Sequence, residues 1–292
     1  MTNDNYGYLK DKLKDIIDYW ENEEDGVKDS DVQEFLPILA EYIEENNAFK
    51  LYKYNSPEYY SFRNYEKDEV YLSPNGNLND VYEGLPAFNK GENSTEIEAL
   101  STTALMSCFS ETNKSVLMWA HYADSSKGFC VEYDLKRLSR DEIISLGIYP
   151  VLYDERRLIR RDLKSLKYSL KNLEHAINYD EEYDDGEVLD DLIPLMLYKG
   201  NDWQYEKEWR IISTKLKLYQ EYKTNTSGTS IPLKCVSAIY LGYRMELTKK
   251  KHIIEITQRK NQLGANIIVY EAILSCDAYE FDFVKVDIDK FL

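Results

Sequence analysis

The chain has 292 residues, a formal net charge of −17 at pH 7, and 43% hydrophobic and 13% aromatic side chains. A chain of this length and apolar content can bury a sizeable core, as one large domain or as one with an appendage. The negative charge argues against general binding to nucleic-acid phosphates, although a local basic patch is compatible with it. Tyrosine is enriched to 26 residues, which suits either a nucleotide cleft or a codon bias.

Cellular location and redox state are inferred from two absences in the sequence. No apolar run reaches the roughly 18 residues that a membrane helix needs, and residues 1–20 lack the apolar stretch of a signal peptide. We therefore expect a cytoplasmic protein that does not enter the membrane. The cysteines have neither CxxC nor Cys/His finger spacing, so we predict buried, reduced thiols, with neither a structural zinc site nor a thioredoxin-like motif. They are Cys108, Cys130, Cys235 and Cys276.

The chain begins with two predicted amphipathic helices, which we treat as an N-terminal helical lead over residues 1–48. The first is predicted from apolar residues that recur on one helical face, namely Leu9, Leu13, Ile16, Ile17 and Trp20. The second is predicted to begin at Ser30, because its spacing to Gln33 is typical of a capping box. The lead either supports the rest of the molecule or serves as a partner-binding module.

Residues 49–292 are predicted to form an α+β core domain. Short β-rich runs dominate it and do not alternate regularly with long helices, which disfavours a doubly wound parallel sheet. No Rossmann or P-loop glycine motif is present. We predict a twisted, mostly antiparallel sheet. The segment 74–80 is predicted to be a loop, in which Asn79 or Asp80 either caps a short helix or borders a cleft.

A helical hairpin is predicted as an insertion at about 154–200. Its first helix has an apolar seam with alternating spacings of four and three residues, which is narrow enough for one partner helix. The seam consists of Ile159, Leu163, Leu166, Leu170, Leu173 and Ile177. The basic residues that flank it indicate either an exposed charged face or contact with RNA or phosphate.

Reactive side chains are concentrated in two stretches, 106–134 and 203–213. The first contains a predicted strand ending at Ser110 and a short helix that Ser115 can cap. The second is predicted to be a strand with Glu206 and Glu208 on one face, because side chains two apart on a strand point the same way. We expect the two stretches to meet at one cleft.

Several sequence patterns together resemble a known bacterial family. They are LYKY at 51–54, the LSP…LND..E pattern from Leu72 to Glu83, CFSE at 108–111, MWAHYAD….GFCVEYD and W.YEKEWRI. Over about residues 50–290 this set resembles the family of unknown function 2971. The same order of features is similar, more remotely, to ADP-ribosyltransferases, in which a late strand contains a catalytic Glu. Glu206-Lys207-Glu208 matches the ExE form of that strand, whereas the usual Arg or His of the first strand is not evident.

The remote resemblance implies an enzyme that uses NAD as a substrate, such as a toxin or phage-defence effector, and modifies a protein or nucleic-acid acceptor. Glu208 would stabilise the oxocarbenium-like centre formed when the nicotinamide bond breaks, and Glu206 would orient the acceptor. The candidate catalytic residues are Glu208, Glu206 and His121. The candidate cofactor-binding residues are Tyr52, Lys53, Tyr54, Ser110, Trp119, Tyr122 and Arg210. Tyrosine and tryptophan rings would stack on nicotinamide or adenine, and Lys53 or Arg210 would meet the pyrophosphate.

Three alternatives remain open at this stage. A metal-dependent nuclease or phosphohydrolase would use Asp80, Glu83, His121, Glu206 and Glu208 as ligands. A non-enzymatic partner-binding protein would use the helical lead and the hairpin. Glu206 and Glu208 would otherwise form the solvent face of an amphipathic strand, paired with Arg210.

Overall fold

The computed structural model describes residues 5–22, 32–74, 79–80, 82, 104–155, 175, 193–214 and 228–290. Within these ranges the chain forms a curled, mostly antiparallel sheet with helices packed against it. This confirms the predicted α+β class. None of the helices in these ranges is long and apolar enough to cross a membrane.

The described elements follow the chain in this order. The helices are α1 (Asn5–Asn22), α2 (Phe35–Glu45), α3 (Tyr59–Lys67), α4 (Val116–Tyr122), α5 (Arg140–Leu146) and α6 (Leu247–Gln262). The first six strands are β1 (Lys50–Asn55), β2 (Glu69–Pro74), β3 (Ala104–Ser110), β4 (Phe129–Asp134), β5 (Ile148–Pro150) and β6 (Leu152–Asp154). The remaining strands are β7 (Tyr198–Gly200), β8 (Glu208–Thr214), β9 (Thr229–Pro232), β10 (Val236–Leu241), β11 (Ile268–Leu274) and β12 (Phe281–Lys285).

The strand order of the main sheet is β12-β11-β10-β4-β1-β3-β2-β9, and β8 joins it by pairing with β3 and β5. The pair β10–β11 is parallel and the other described pairs of this sheet are antiparallel. Because β8 pairs with β3 along its whole length, β1 and β2 both lie against the opposite edge of β3. Two strands therefore share one edge of β3, and this arrangement positions the candidate site.

The helical lead packs into the same apolar core as the sheet. Leu9, Leu13 and Ile17 of α1 are buried in that core, as the predicted helical face requires. The ring of Phe49 lies edge-on to Trp209 of β8, with 5.3 Å between ring centroids. The second helix begins with a 3-10 turn at Val32–Glu34, and α2 has no side-chain cap, while Ser30 lies outside the described residues.

The predicted hairpin at 154–200 lies largely outside the described residues. At its C-terminal boundary the prediction of helix is wrong, since Tyr198–Gly200 is strand β7. This strand pairs in parallel with β6, so backbone pairing between the two ends of the segment replaces the last helical turn. The parallel pair brings Lys199 next to the start of β8.

All four cysteines are free in the structure. Cys130 in β4 and Cys235 just before β10 are buried in apolar clusters, as predicted. Burial was wrongly predicted for the other two. Cys276 is exposed in the turn after β11, and Cys108 is only partly buried because its strand borders a cavity.

Candidate functional site

A cavity of about 670 Å³ opens along one edge of β3. On that edge β1 pairs at Ser110, while β2 pairs at Leu105 and Met106. Between these points the strands β1 and β2 diverge. The segment of β3 left between them, Ser107 to Phe109, lines the cavity. Helix α3, which connects β1 to β2, covers it from one side through residues such as Ser61 and Asn64.

Part of the cavity lining is a linked set of polar side chains, most of them buried and charged. Lys199 Nζ donates to Glu206 Oε2 at 2.6 Å and to Glu208 Oε2 at 3.1 Å. Tyr122 Oη donates to Glu206 Oε1 at 2.5 Å. Both carboxylates are almost fully buried, at 2% exposure for Glu206 and 4% for Glu208, yet both line the cavity. The two glutamates are therefore bridged by one ammonium group, with Tyr122 on the Glu206 side.

Glu208 is anchored from behind by Arg210. The guanidinium donates from Nε to Oε1 and from Nη2 to Oε2, each at 2.8 Å, and from Nη1 to the carbonyl of Met196 at 2.5 Å. Such a bidentate pair fixes both carboxylate oxygens geometrically. Arg210 is 0% exposed, so its charge is balanced inside the protein. Glu208 thus forms the link between the core and Lys199.

The two carboxylates differ in their electrostatics. Burial raises the pKa of Glu206 above its usual value, and the nearby Glu208 charge raises it further. Burial would also raise the pKa of Glu208, but Arg210 and Lys199 favour its ionised form and lower it to about 2. Burial and the hydrogen bond to Glu206 raise the pKa of Tyr122, so it is a neutral donor. Glu206 is consequently the carboxylate of the pair that binds a proton more readily.

The two carboxylates do not converge for the predicted reason. Glu206 is the last residue of a 3-10 turn, Asn201–Glu206, and not part of a strand. Lys207 then adopts a left-handed conformation with φ of 46°, and Glu208 begins β8. Ser110 Oγ secures this turn by donating to the backbone carbonyl of Glu206 at 2.6 Å. The left-handed residue reorients the chain, and the side chains meet at Lys199.

Most of the predicted site residues line the cavity. Those that do are Tyr52, Lys53, Tyr54, His121, Tyr122, Glu206 and Glu208, so the two predicted stretches do meet at one cleft. Ser110, Trp119 and Arg210 lie outside its lining. Trp119 is fully buried, with its ring 5.3 Å from that of Tyr54 and its Nε1 donating to the carbonyl of Asn113. Its helix α4 is capped by Ser115 as predicted.

Lys199 was not identified as a site residue from the sequence. Lys199 lay within the predicted hairpin, where a single lysine among many carries no signal. Asn79 was assigned either to a cap or to a cleft border. In the structure it lines the cavity, and its Nδ2 donates to Tyr122 Oη at 3.3 Å. Asp80 accepts from the backbone N–H of Tyr82 at 2.9 Å, which is a local turn contact.

A metal site was the basis of one alternative function. Among the described residues no group of three or more His, Cys, Asp or Glu side chains could hold a metal ion. Glu83, which that alternative required, lies outside these residues. The carboxylate oxygens of Glu206 and Glu208 at the cavity already accept hydrogen bonds from Lys199, Tyr122 and Arg210.

One family model matches part of the chain. Residues 118–211 match the model described as "Protein of unknown function (DUF2971)". This supports the resemblance to that family over a segment that contains His121, Tyr122, Glu206 and Glu208. No curated protein and no solved structure matches the chain.

Proposed function

We propose that the protein is an ADP-ribosyltransferase-like enzyme that cleaves the nicotinamide bond of NAD in the cavity beside β3. The observation that carries the proposal is the buried Glu206 carboxylate on the cavity wall, held by Tyr122 and Lys199. Perturbed carboxylates in clefts are typical of functional sites. The remote sequence similarity around Glu206-Lys207-Glu208 supplies the reaction class.

The lining of the cavity supports a nucleotide as the ligand. Its volume falls within the roughly 300 to 1,000 Å³ that is typical of small-molecule sites. Tyrosine side chains line it from four elements, with Tyr52 and Tyr54 on β1, Tyr60 on α3, Tyr71 on β2 and Tyr122 on α4. Such rings offer faces for stacking on adenine or nicotinamide and hydroxyls for hydrogen bonding.

The contacts favour Glu206 over Glu208 as the reactive carboxylate, which reverses the roles expected from the sequence. Both oxygens of Glu208 accept from Arg210, and one of them also from Lys199. Its charge is therefore neutralised locally. Glu206 has one oxygen on Lys199 and one on Tyr122, a neutral donor. Exchange of the Tyr122 hydroxyl for a ligand group would free a carboxylate oxygen without breaking an ion pair.

The proposed reaction transfers ADP-ribose from nicotinamide to an acceptor. The bond between the ribose carbon and the pyridinium nitrogen breaks, and nicotinamide leaves with the bonding electrons as a neutral molecule. An acceptor oxygen or nitrogen forms the new bond to the cationic ribose carbon. Glu206 accepts the proton released by the acceptor, a role that suits a carboxylate with a raised pKa. Water as the acceptor would give free ADP-ribose.

The experiment is to incubate the purified protein with NAD carrying a label in the adenosine part. Nicotinamide release and transfer of the label to protein or nucleic acid are then measured in a cell extract. Release with transfer is the expected result. Release without transfer identifies an NAD hydrolase and corrects the acceptor. If NAD neither raises the melting temperature nor is consumed, with or without extract, the proposal is wrong.

A further inference from the structure

The cavity lining includes a second lysine, Lys53, which is only partly buried. Lys199 and Arg210 are ion-paired with Glu206 and Glu208. Lys53 Nζ instead donates to the backbone carbonyl of Cys108 at 3.1 Å and lies 5.2 Å from the centre of the Phe109 ring. Within the part of the chain that the structure describes, no carboxylate lies within ion-pair distance of it.

The position of Lys53 follows from the divergence of β1 and β2. Its side chain reaches the edge of β3 where neither strand pairs, and there it meets the carbonyl of Cys108. A carbonyl satisfies one of the three N–H donors of an ammonium group, so the other two require further partners. Burial penalises the charge of Lys53 and lowers its pKa, and the charge of Glu208 offsets this penalty only in part. An anion at this point would relieve that cost.

We propose that Lys53 binds a phosphate group of the ligand at the edge of β3 between β1 and β2. The ligand class is then a phosphate ester or pyrophosphate attached to a group that stacks on the tyrosine rings. Asn55, Ser56 and Asn64 also line the cavity and supply neutral donors of the kind that complete phosphate sites. Glu58 and Asp124, the other lining carboxylates, are exposed at the rim, where solvent screens their repulsion of an anion.

This inference rests on the cavity being the ligand site of the proposed function, but not on cleavage of NAD. The test is calorimetric titration of the full chain with inorganic pyrophosphate, ADP and adenosine. The variants are Lys53→Met, which keeps the aliphatic chain, and Lys53→Arg, which keeps the charge. Lys285→Met, at an exposed position of β12, is the matched control.

The expected result is that Lys53→Met weakens ADP and pyrophosphate binding by about 10- to 100-fold, the usual cost of losing a charged hydrogen bond. Adenosine binding should not change. Lys53→Arg should retain most of the ADP affinity, and Lys285→Met should match the wild type. Unchanged ADP affinity in Lys53→Met would overturn the assignment, as would wild type that binds ADP no more tightly than adenosine.

Two further measurements keep the test independent of folding and of the proposed function. If Lys53→Met is unstable, ADP binding to wild type should weaken with added NaCl while adenosine binding does not, and equal salt dependence contradicts the proposal. Binding of ADP through Lys53 without NAD consumption would leave the phosphate assignment standing and reject the transferase. Consumption of NAD with an unchanged KM in Lys53→Met would reject the phosphate assignment and leave the transferase proposal standing.

Discussion

At the scale of single residues, the site is defined by two glutamates that have opposite pKa shifts. Glu206 faces Tyr122 and a lysine, and burial raises its pKa. Glu208 is held by Arg210 as well, which lowers its pKa to about 2. A buried pair of this kind is favourable only when its partners are in place, because removal of one leaves a buried charge uncompensated. The division between a reactive and an anchoring carboxylate therefore depends on Arg210.

The first prediction concerns the pH dependence of stability. A carboxylate with a lowered pKa stabilises the fold above its unfolded value of about 4.3, and the contribution is lost as pH falls from there toward 2. The magnitude is on the order of 3 kcal/mol for a shift of this size. Glu206 has a raised pKa, so its ionisation lowers the stability of the fold as pH rises.

Denaturant unfolding between pH 5 and pH 2 checks this for wild type and Glu208→Gln, with exposed Glu255→Gln as the control. We expect the wild type and the control to lose stability steeply over this range, and Glu208→Gln to start lower and fall less. Parallel curves for all three proteins would show that Glu208 is not ionised by its partners in the folded state.

At the scale of elements, the site depends on how α4 is joined to β4. Three successive residues, Asp124, Ser125 and Ser126, adopt left-handed conformations with φ between 45° and 68°. Gly128 follows them where the chain meets β1. A Cβ at Gly128 would lie 2.0 Å from the carbonyl oxygen of Asn55. The turn therefore fixes α4, with Tyr122, against the strand that provides Tyr52 and Tyr54.

The second prediction is that Gly128→Ala destabilises the protein by about 1 to 3 kcal/mol or more, because backbone on both sides must move. Gly200→Ala is the control, since a Cβ there has no neighbour within 4 Å. It should change the free energy of unfolding by less than about 1 kcal/mol. Urea denaturation of the two variants measures the difference. Equal stabilities would mean that the α4–β4 turn adjusts freely.

At the scale of the whole molecule, the helical lead and the sheet share one apolar core. The third prediction is that Leu13→Ala, in fully buried surroundings on α1, destabilises the entire fold by about 2 to 5 kcal/mol. Exposed Lys14→Ala is the control. Circular dichroism and tryptophan fluorescence should both report one shifted transition. Separate melting of α1 and α2 before the sheet would contradict the shared core.

Much of the fold was predictable from the sequence because local patterns determined it. The strand Ala104–Ser110 and the cap at Ser115 match their predictions, since apolar runs and hydroxyl caps act over a few residues. The cleft was predicted only as a meeting of two stretches. Its position depends on where β1 and β2 diverge along β3, which is a property of strand pairing between distant segments.

The parts that the sequence did not reveal are nonlocal in the same way. Lys199 becomes a site residue because β6 and β7 pair across the segment that separates them. Glu206 and Glu208 converge because Lys207 between them has a left-handed backbone conformation. A glycine there would have indicated this conformation from the sequence, but the residue is a lysine. Trp119 and Arg210 are residue types that suit a binding site, but both side chains are fully buried in the core. The spacing of residues in the sequence does not show which of these side chains is fully buried.

The central claim is that Glu206 is the reactive carboxylate of an NAD site, and the most direct measurement is nicotinamide release in a single turnover, with the enzyme in saturating excess over NAD. Glu206→Gln keeps the volume of the side chain but removes its charge and its capacity to accept a proton. We expect release to slow by about 10²- to 10³-fold, with NAD affinity and melting temperature close to wild type. Glu255→Gln should be as fast as wild type. A Glu206→Gln protein that releases nicotinamide at the wild-type rate would contradict the claim.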